Sequence, residues 1–316
     1  MSERAAAQTT RYLSESDVAA LLPSVAEQID VVADALTQVA ERRAHQPPKR
    51  AIETGDIGRF VHLMPAAING RSGRIVGTKW ISGGGGLPIG GVLIVEEQTT
   101  GVRSLVSAAA LTAARTAAVS SAALRAVHGD AFAPSRVALI GGGVQAHSHR
   151  AMLAEAYPQA GVSFFTRRAA SELPLRAGDR VAERLEDALH GAEILITAAA
   201  FGTPPRSVAL NELAPGATII VIDYDSTLRG EHVALLRAHG PVRLMTDSAE
   251  QFNATREAGK LEGWPEISEE IGAPRAPEPG AITIVNHLGI AACDLALADL
   301  LLERALERGV GTLLPR

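Results

Sequence analysis

The chain has 316 residues, with 30 lysines and arginines against 35 acidic residues and a formal net charge of −5. That length passes the roughly 250–300 residues at which single cores stop growing, so two domains are expected. The charge balance, without a dense basic run, excludes nucleic acid as the expected partner. A single cysteine, Cys293, rules out an intrachain disulfide, and the polar residues after Met1 lack an apolar signal core. No run of roughly eighteen large apolar residues is present, so a cytoplasmic chain without a membrane span is expected.

In chain order, Ser14-Glu15-Ser16-Asp17 ahead of Val18, Leu21 and Leu22 marks a helix start, and a second helical pattern covers about Val25 to Arg43 and ends at Gln46-Pro47-Pro48. Extended segments follow at Phe60–Met64, Gly73–Ile81 and Gly91–Glu96. They are separated by Asn69-Gly70, Gly83 to Gly86 and Thr100-Gly101, and predict a mixed or antiparallel sheet outside any nucleotide fold. Small residues dominate Ser107 to Val127, which predicts a helix able to approach neighbouring backbone closely and to bridge the two domains.

From Val137 onward strands alternate with helices: Val137–Ile140, Val162–Thr166, Glu193–Ala198, Thr218–Asp223, Val242–Thr246 and Ile282–Val285 are the candidate strands. That alternation predicts a parallel, doubly wound sheet. Glu262 to Gly280, with prolines at 265, 274, 277 and 279, reads as a loop or poorly packed excursion. A last helix, about Ile290 to Arg308, is stopped by Gly309.

Strand, glycine turn and helix meet at Val137 to Ala146. Gly141 permits a tight turn, Gly143 lets backbone approach a pyrophosphate, Val144 and Gln145 open the helix, and Ala146 allows close packing on the strand. The next strand ends in Thr166-Arg167-Arg168, where an NAD site usually carries an acidic side chain for the ribose hydroxyl. Two arginines suit a 2′-phosphate, so NADP(H) is favoured over NAD(H).

Three cations sit in apolar or glycine-rich settings: Arg50 after a proline turn, Lys79 inside a strand pattern, and Arg115 among small helical residues. A buried cation is costly unless paired, which marks all three for attention. Asp225 follows a predicted parallel strand, at the end where ligands bind in open α/β sheets, with Asp223 as its local competitor. His147 and His149 point to different faces of a helix, cannot form a metal pair, and are expected on the helix surface. His287 follows the last predicted strand, where it is either a structural histidine or a contact to the nicotinamide.

These motifs together resemble the ornithine cyclodeaminase and mu-crystallin family over nearly the whole chain. The resemblance rests on Pro48-Lys49-Arg50, Leu63-Met64-Pro65, Gly77-Thr78-Lys79-Trp80, Gly86-Leu87-Pro88, the Leu111 to Ala118 run, the Gly141 to Ala146 turn, and Gly289-Ile290-Ala291 with Asp294-Leu295. It implies an α/β protein in which a Rossmann-type doubly wound NADP(H)-binding domain, residues 118–287, accompanies a smaller α+β substrate-binding and dimerisation domain, residues 1–117 and 288–316. It further implies that Arg50, Lys79 and Arg115 hold a substrate carboxylate, that Asp225, with Lys79, serves catalysis at the reacting amine or imine, and that the protein is a homodimer.

Two departures stand out: Ser226-Thr227-Leu228-Arg229-Gly230 replaces a Pro-Gly-Lys run, and Asn286-His287 replaces Lys-Ser. Cations beside one carboxylate match the charge pattern of an α-imino acid, which predicts hydride transfer from NADPH to a C=N carbon next to a carboxylate. The competing readings are a cyclodeaminase with catalytic NAD, an amino-acid dehydrogenase, and a non-catalytic NADPH-dependent carrier of a small ligand.

Overall fold

A computed structural model describes residues 9–55, 58–71, 73–84, 86–97, 101–200, 208–276 and 279–315. Gly85, Thr100 and Pro277, expected in turns and a loop, lie outside the described residues. The elements in order are β1 (Thr9–Leu13), α1 (Glu15–Leu21), α2 (Val25–Ala40), β2 (Arg50–Ala51), β3 (Arg59–Gly70), β4 (Gly73–Gly84), β5 (Leu87–Glu97), β6 (Gly101–Ser107) and α3 (Ala108–His128). There follow β7 (Arg136–Ile140), α4 (Val144–Ala156), β8 (Gly161–Phe165), β9 (Arg180–Val181), α5 (Leu185–Leu189), β10 (Ile194–Thr197) and β11 (Thr218–Val221). The chain ends with α6 (Gly230–His239), β12 (Val242–Met245), α7 (Ala249–Glu257), β13 (Ile282–Asn286), α8 (Ala291–Arg308) and β14 (Thr312–Pro315).

Two compact units result, one from residues up to Arg115 together with those from Gly289, the other Thr116–Leu288; the division falls inside α3. In the first unit seven strands form one sheet in the order β14-β1-β6-β5-β4-β3-β2. It is mixed, because β1 pairs in parallel with β6 while its other neighbours run antiparallel. Helix α8 packs across β3 and β4 and against α2. Side chains on a strand alternate between faces. On β4, Ile75, Lys79 and Ile81 therefore share the buried side, while Val76 and Trp80 stay exposed at 47% and 43%. The strand period itself carries a lysine into the core.

The second unit is a seven-stranded sheet in the order β12-β13-β11-β10-β7-β8-β9, parallel throughout. Every residue of β10 and β11 is buried, as expected of parallel strands covered on both faces. The chain leaves β7 toward β8 and later returns on its other side at β10, so the strand order reverses between β7 and β10. A crevice for a ligand opens at the carboxyl ends of strands at such a point.

The segment from 262 to 280 is a loop, but the expectation that it packs poorly is corrected. Trp264, Ile267 and Ile271 are buried, Trp264 meets the edge of Phe252, and the Asn253 side chain bonds both the amide and the carbonyl of Ile267. Apolar residues at irregular spacing produce no periodic signal, although they fill a core as well as periodic ones do. Gly230, at the start of α6, touches this loop: a Cβ there would stand 1.9 Å from the Gly263 carbonyl carbon. Backbone cannot yield as a flexible side chain can. Gly230→Ala is therefore expected to cost at least about 2 kcal/mol and several degrees of Tm. Gly240→Ala, where nothing lies within 4 Å of the added carbon, should leave the calorimetric transition unchanged; equal effects of the two would contradict the packing described.

Candidate functional site

In the first unit the buried lysine finds its counterion on α8. Lys79 is fully buried, and its Nζ lies 2.6 Å from Asp294 Oδ2 and 3.3 Å from Thr112 Oγ1. Arg115 Nε donates to the other oxygen, Asp294 Oδ1, at 3.0 Å. The Arg115 guanidinium lies against Gly289, where a Cβ would come within 2.6 Å of Nη1. Gly289 also has φ +79°, so both its space and its backbone require glycine. Asp294 stands in the first turn of α8, where the helix dipole favours a negative charge.

One carboxylate cannot neutralise two cations. With both cations protonated the cluster keeps one net positive charge in a desolvated setting, which is an electrostatic invitation to a second carboxylate. Burial pushes the Lys79 pKa down to about 7, the Arg115 charge lowers it further, and Asp294 opposes both. The charge of Lys49 also lowers it. Arg50 itself is exposed on β2, opposite Leu63 in register; its neighbour Lys49 is the residue whose charge reaches Lys79. Reading the sequence for function missed Asp294 as the anchor. The available signal was an acid inside Ala291-Ala292-Cys293-Asp294-Leu295, on a helix whose neighbouring residues are all apolar.

In the second unit, β7 runs into Gly141, with φ +129° and no room for a Cβ, which would stand 2.3 Å from the Ala198 carbonyl oxygen. Gly142 packs against the end of β8, where a Cβ would meet Thr166 Oγ1 at 2.6 Å and Arg168 Cδ at 3.0 Å. Gly143 has open space, precedes α4, and offers no side-chain cap; the first turn of α4 holds no acid. Uncapped amides at a positive helix end beside an open glycine fit a phosphate group. Val144 is exposed at 69%, Gln145 is half-buried and Ala146 is fully buried. Thr166 Oγ1 accepts from the Arg168 amide, while Arg167 and Arg168 are both exposed, with Arg168 Nη1 3.0 Å from Glu172.

At the carboxyl ends of β10 and β11, the two aspartates separate by environment. Asp223 is buried and accepts from Thr197 Oγ1, Thr227 Oγ1 and the Ala199 amide at 2.8, 2.7 and 3.1 Å, so its oxygens lock the turn. Asp225 is half-buried, and burial raises its pKa against the lowering effect of Arg229. Between them Tyr224 holds φ +63°, a left-handed conformation that its carbonyl, accepting from Asn286 Nδ2 at 3.2 Å, helps to fix. Strain of this kind costs a kilocalorie or so and concentrates at functional turns.

The expected surface position of His149 is corrected. His147 is exposed, but His149 is buried, and burial lowers its pKa to about 4. Helix α4 turns that face onto the polar end of α3, where Ser120 Oγ lies 2.8 Å from His149 Nε2 and 2.9 Å from His287 Nε2. Among the described residues no helix is long and apolar enough to cross a membrane, and no group of three His, Cys, Asp or Glu side chains could hold a metal ion.

A sequence model of the ornithine cyclodeaminase/mu-crystallin family matches residues 8–309. The chain belongs to that family. None of the curated protein sequences matches this family member significantly. Among solved structures it is similar to CmnK, at 23% identity and a TM-score of 0.81 with 97% of this chain and 98% of the other covered. An archaeal alanine dehydrogenase dimer with bound NAD is similar at 22% identity and 0.79, covering 97% and 99%. The Δ1-pyrroline-2-carboxylate reductase of Thermococcus litoralis, in complex with NADH and L-proline, is similar at 23% and 0.76, covering 96% and 99%. These likenesses establish the Rossmann-type fold of the family member.

The Asp294 anchor predicts contrasting stabilities. Asp294→Asn removes the charge that holds Lys79 and Arg115 together and should cost about 3–5 kcal/mol. Asp225→Asn, at a position where burial disfavours the charge, should leave stability within about 1 kcal/mol or raise it slightly. Denaturant unfolding of the two variants checks this, and equal losses would contradict it.

Proposed function

We propose that this family member is a nicotinamide-dependent reductase of an α-imino acid, with NADPH as the favoured cofactor. The observation that carries the reading is the buried cluster in which one carboxylate, Asp294, serves two cations, Lys79 and Arg115, leaving charge for a substrate carboxylate. In this reading the first unit binds the substrate and forms the subunit interface, and the second binds the cofactor. Likeness to a reductase solved with NADH and L-proline, and to an alanine dehydrogenase solved with NAD, supports it.

The bound reduced nicotinamide would supply a hydride to the C=N carbon. Arg115 and Lys79, with Arg50 as a third cation, hold the carboxylate and so fix the face and position of the neighbouring carbon. Asp225 offers a negative charge to the protonated imine nitrogen, stabilising the iminium form that accepts hydride. The turn at Gly141 and Gly143, with Val144, Gln145 and Ala146, takes the pyrophosphate; Thr166, Arg167 and Arg168 take the 2′-phosphate; His287 meets the nicotinamide. The Arg168–Glu172 pair is solvent-exposed, so exchanging that partner for a phosphate costs little.

A homodimer fits the first unit's sheet. Val76 and Trp80 share one face of β4 and are exposed by 47% and 43%, and exposed apolar side chains of this size favour an association surface. A second copy of the chain is the proposed occupant.

NADPH oxidation against cyclic α-imino acids, 2-oxo acids with ammonia, and ornithine tests the reading. Consumption with an imine is expected. Replacing both Arg167 and Arg168 by serine should raise KM for NADPH by about tenfold or more and change that for NADH little. Ammonia release from ornithine without net cofactor change would overturn the reading in favour of cyclodeamination, and tight NADPH binding with no turnover would favour a carrier.

A pH dependence follows from Lys79. Its folded pKa is depressed to about 7, so the ammonium that attracts a carboxylate is present below that value and lost above it. Affinity for cyclopentanecarboxylate, which has no group titrating in this range, should fall as pH rises through about 7; a constant affinity from pH 6 to 9 would contradict the role of Lys79.

A further inference from the structure

On the face of the first sheet that carries Lys79, side chains of β3, β4 and β5 line up in rungs, because partners in an antiparallel register share a face. Met64, Lys79 and Leu93 form one rung, His62, Ile81 and Gly91 the next, and Phe60 with Gly83 the last. Helix α8 covers this ladder only part of the way. Asp299 stands over Gly70 and Leu295 over Gly77, where an added Cβ would meet their side chains at 2.8 and 2.6 Å, and Asp294 holds Lys79. The helix begins at Ala291, so the two rungs beyond Lys79 run past its first turn. Burial follows this boundary. Met64, Lys79 and Leu93 are at most 3% exposed, whereas His62 and Phe60 are half-buried and Ile89, beside Gly83, is 46% exposed.

The two open rungs have a definite chemistry. Phe60 Cε1 and Ile89 Cγ1 come within 3.2 and 2.9 Å of the point where a Cβ on Gly83 would stand, so they converge over the glycine and form an apolar floor with Ile81. The Phe60 and His62 rings lie 5.2 Å apart at 35°, and His62 gives this floor its one polar edge. Strands β3 and β4 contain no aspartate or glutamate, and Glu96 and Glu97 of β5 pair with Val76 and Ile75 at the far end of the ladder. A cationic side chain laid on these rungs would lose hydration and meet no counter-charge from the strands.

We infer that these two rungs are the side-chain subsite of the carboxylate site, and that the substrate is an α-imino acid with a neutral, ring-bearing apolar side chain. The inference rests on the reading of Lys79 and Arg115 as carboxylate-binding and adds to it the class of side chain. A carboxylate held at Lys79 has the filled rung and α8 on one side, so the rest of the molecule extends over the open rungs. Successive rungs are about 7 Å apart, which suits the span from a carboxylate to a six-membered ring on the β-carbon. Apolar lining with one polar group is the usual composition of such a subsite. The same floor disfavours the ammonium side chain of ornithine.

The test is calorimetric binding of three unreactive carboxylates to the full chain with NADP+ present: 3-phenylpropanoate, propanoate and 4-guanidinobutanoate. The wild-type chain should bind 3-phenylpropanoate about tenfold or more tighter than propanoate, from burial of the ring, and 4-guanidinobutanoate no tighter than propanoate. Phe60→Ala should bring the preference for the ring to within about threefold. Ile89→Asp, at an exposed position that tolerates charge, should make 4-guanidinobutanoate bind tighter than 3-phenylpropanoate, a gain that a general structural defect would not produce. Equal wild-type affinities for 3-phenylpropanoate and propanoate, or tightest binding of 4-guanidinobutanoate, would overturn the inference. If none of the three binds, the carboxylate reading beneath it is overturned instead.

Discussion

A buried ammonium and a buried guanidinium need a counter-charge, and in the first unit a single carboxylate supplies it. Desolvating Lys79 and Arg115 would be prohibitive without Asp294, because unpaired buried charge costs several kcal/mol per group. That requirement organises much of its surroundings. The alternation of β4 places Lys79 on the core face, the first turn of α8 delivers Asp294 with help from the helix dipole, and Gly289 clears the space that the Arg115 guanidinium occupies. The arrangement is satisfied geometrically yet keeps a net positive charge with both cations protonated, and the proposed reading assigns that charge to a substrate carboxylate.

The second unit pairs a parallel sheet with a glycine turn at the start of α4, which is where the proposed reading seats a dinucleotide. Its parallel sheet brings backbone amides at Gly143 and polar side chains to the same carboxyl edge. There a buried aspartate, Asp223, fixes the turn with its oxygens, while Asp225 stays half-buried. The strained Tyr224 between them is held by Asn286, a residue that departs from the usual family pattern. Next to it, His287 also departs from that pattern and belongs to the Ser120–His149 chain. Two neighbouring departures from the family pattern thus lie at one edge of the parallel sheet.

Much of the fold was legible in the sequence because the signals were local. The glycine turn sits between an apolar strand run and a helix, the arginines follow the next strand, and strand and helix patterns alternate from Val137 onward. What escaped was set by pairings distant in sequence. Strands β1 and β14 pair with each other from opposite ends of the chain, β6 gives no alternation strong enough to separate it from α3, and Asp294 declares itself as an anchor only once α8 lies on β4. His149 was misplaced to the surface because a histidine on a helix reads as polar; its burial depends on Ser120 from another helix. The 262–280 loop packs through Trp264, Ile267 and Ile271 at irregular spacing, which no periodicity reports.

The central claim is that the cations around Asp294 read a substrate carboxylate, and the most direct measurement compares kcat/KM for an α-imino acid and for its carboxamide in the wild-type chain and in Arg115→Ala. The account predicts that the wild type prefers the carboxylate by about a hundredfold or more and that the variant loses most of that preference. A variant that keeps the full preference would place carboxylate recognition elsewhere and contradict the account.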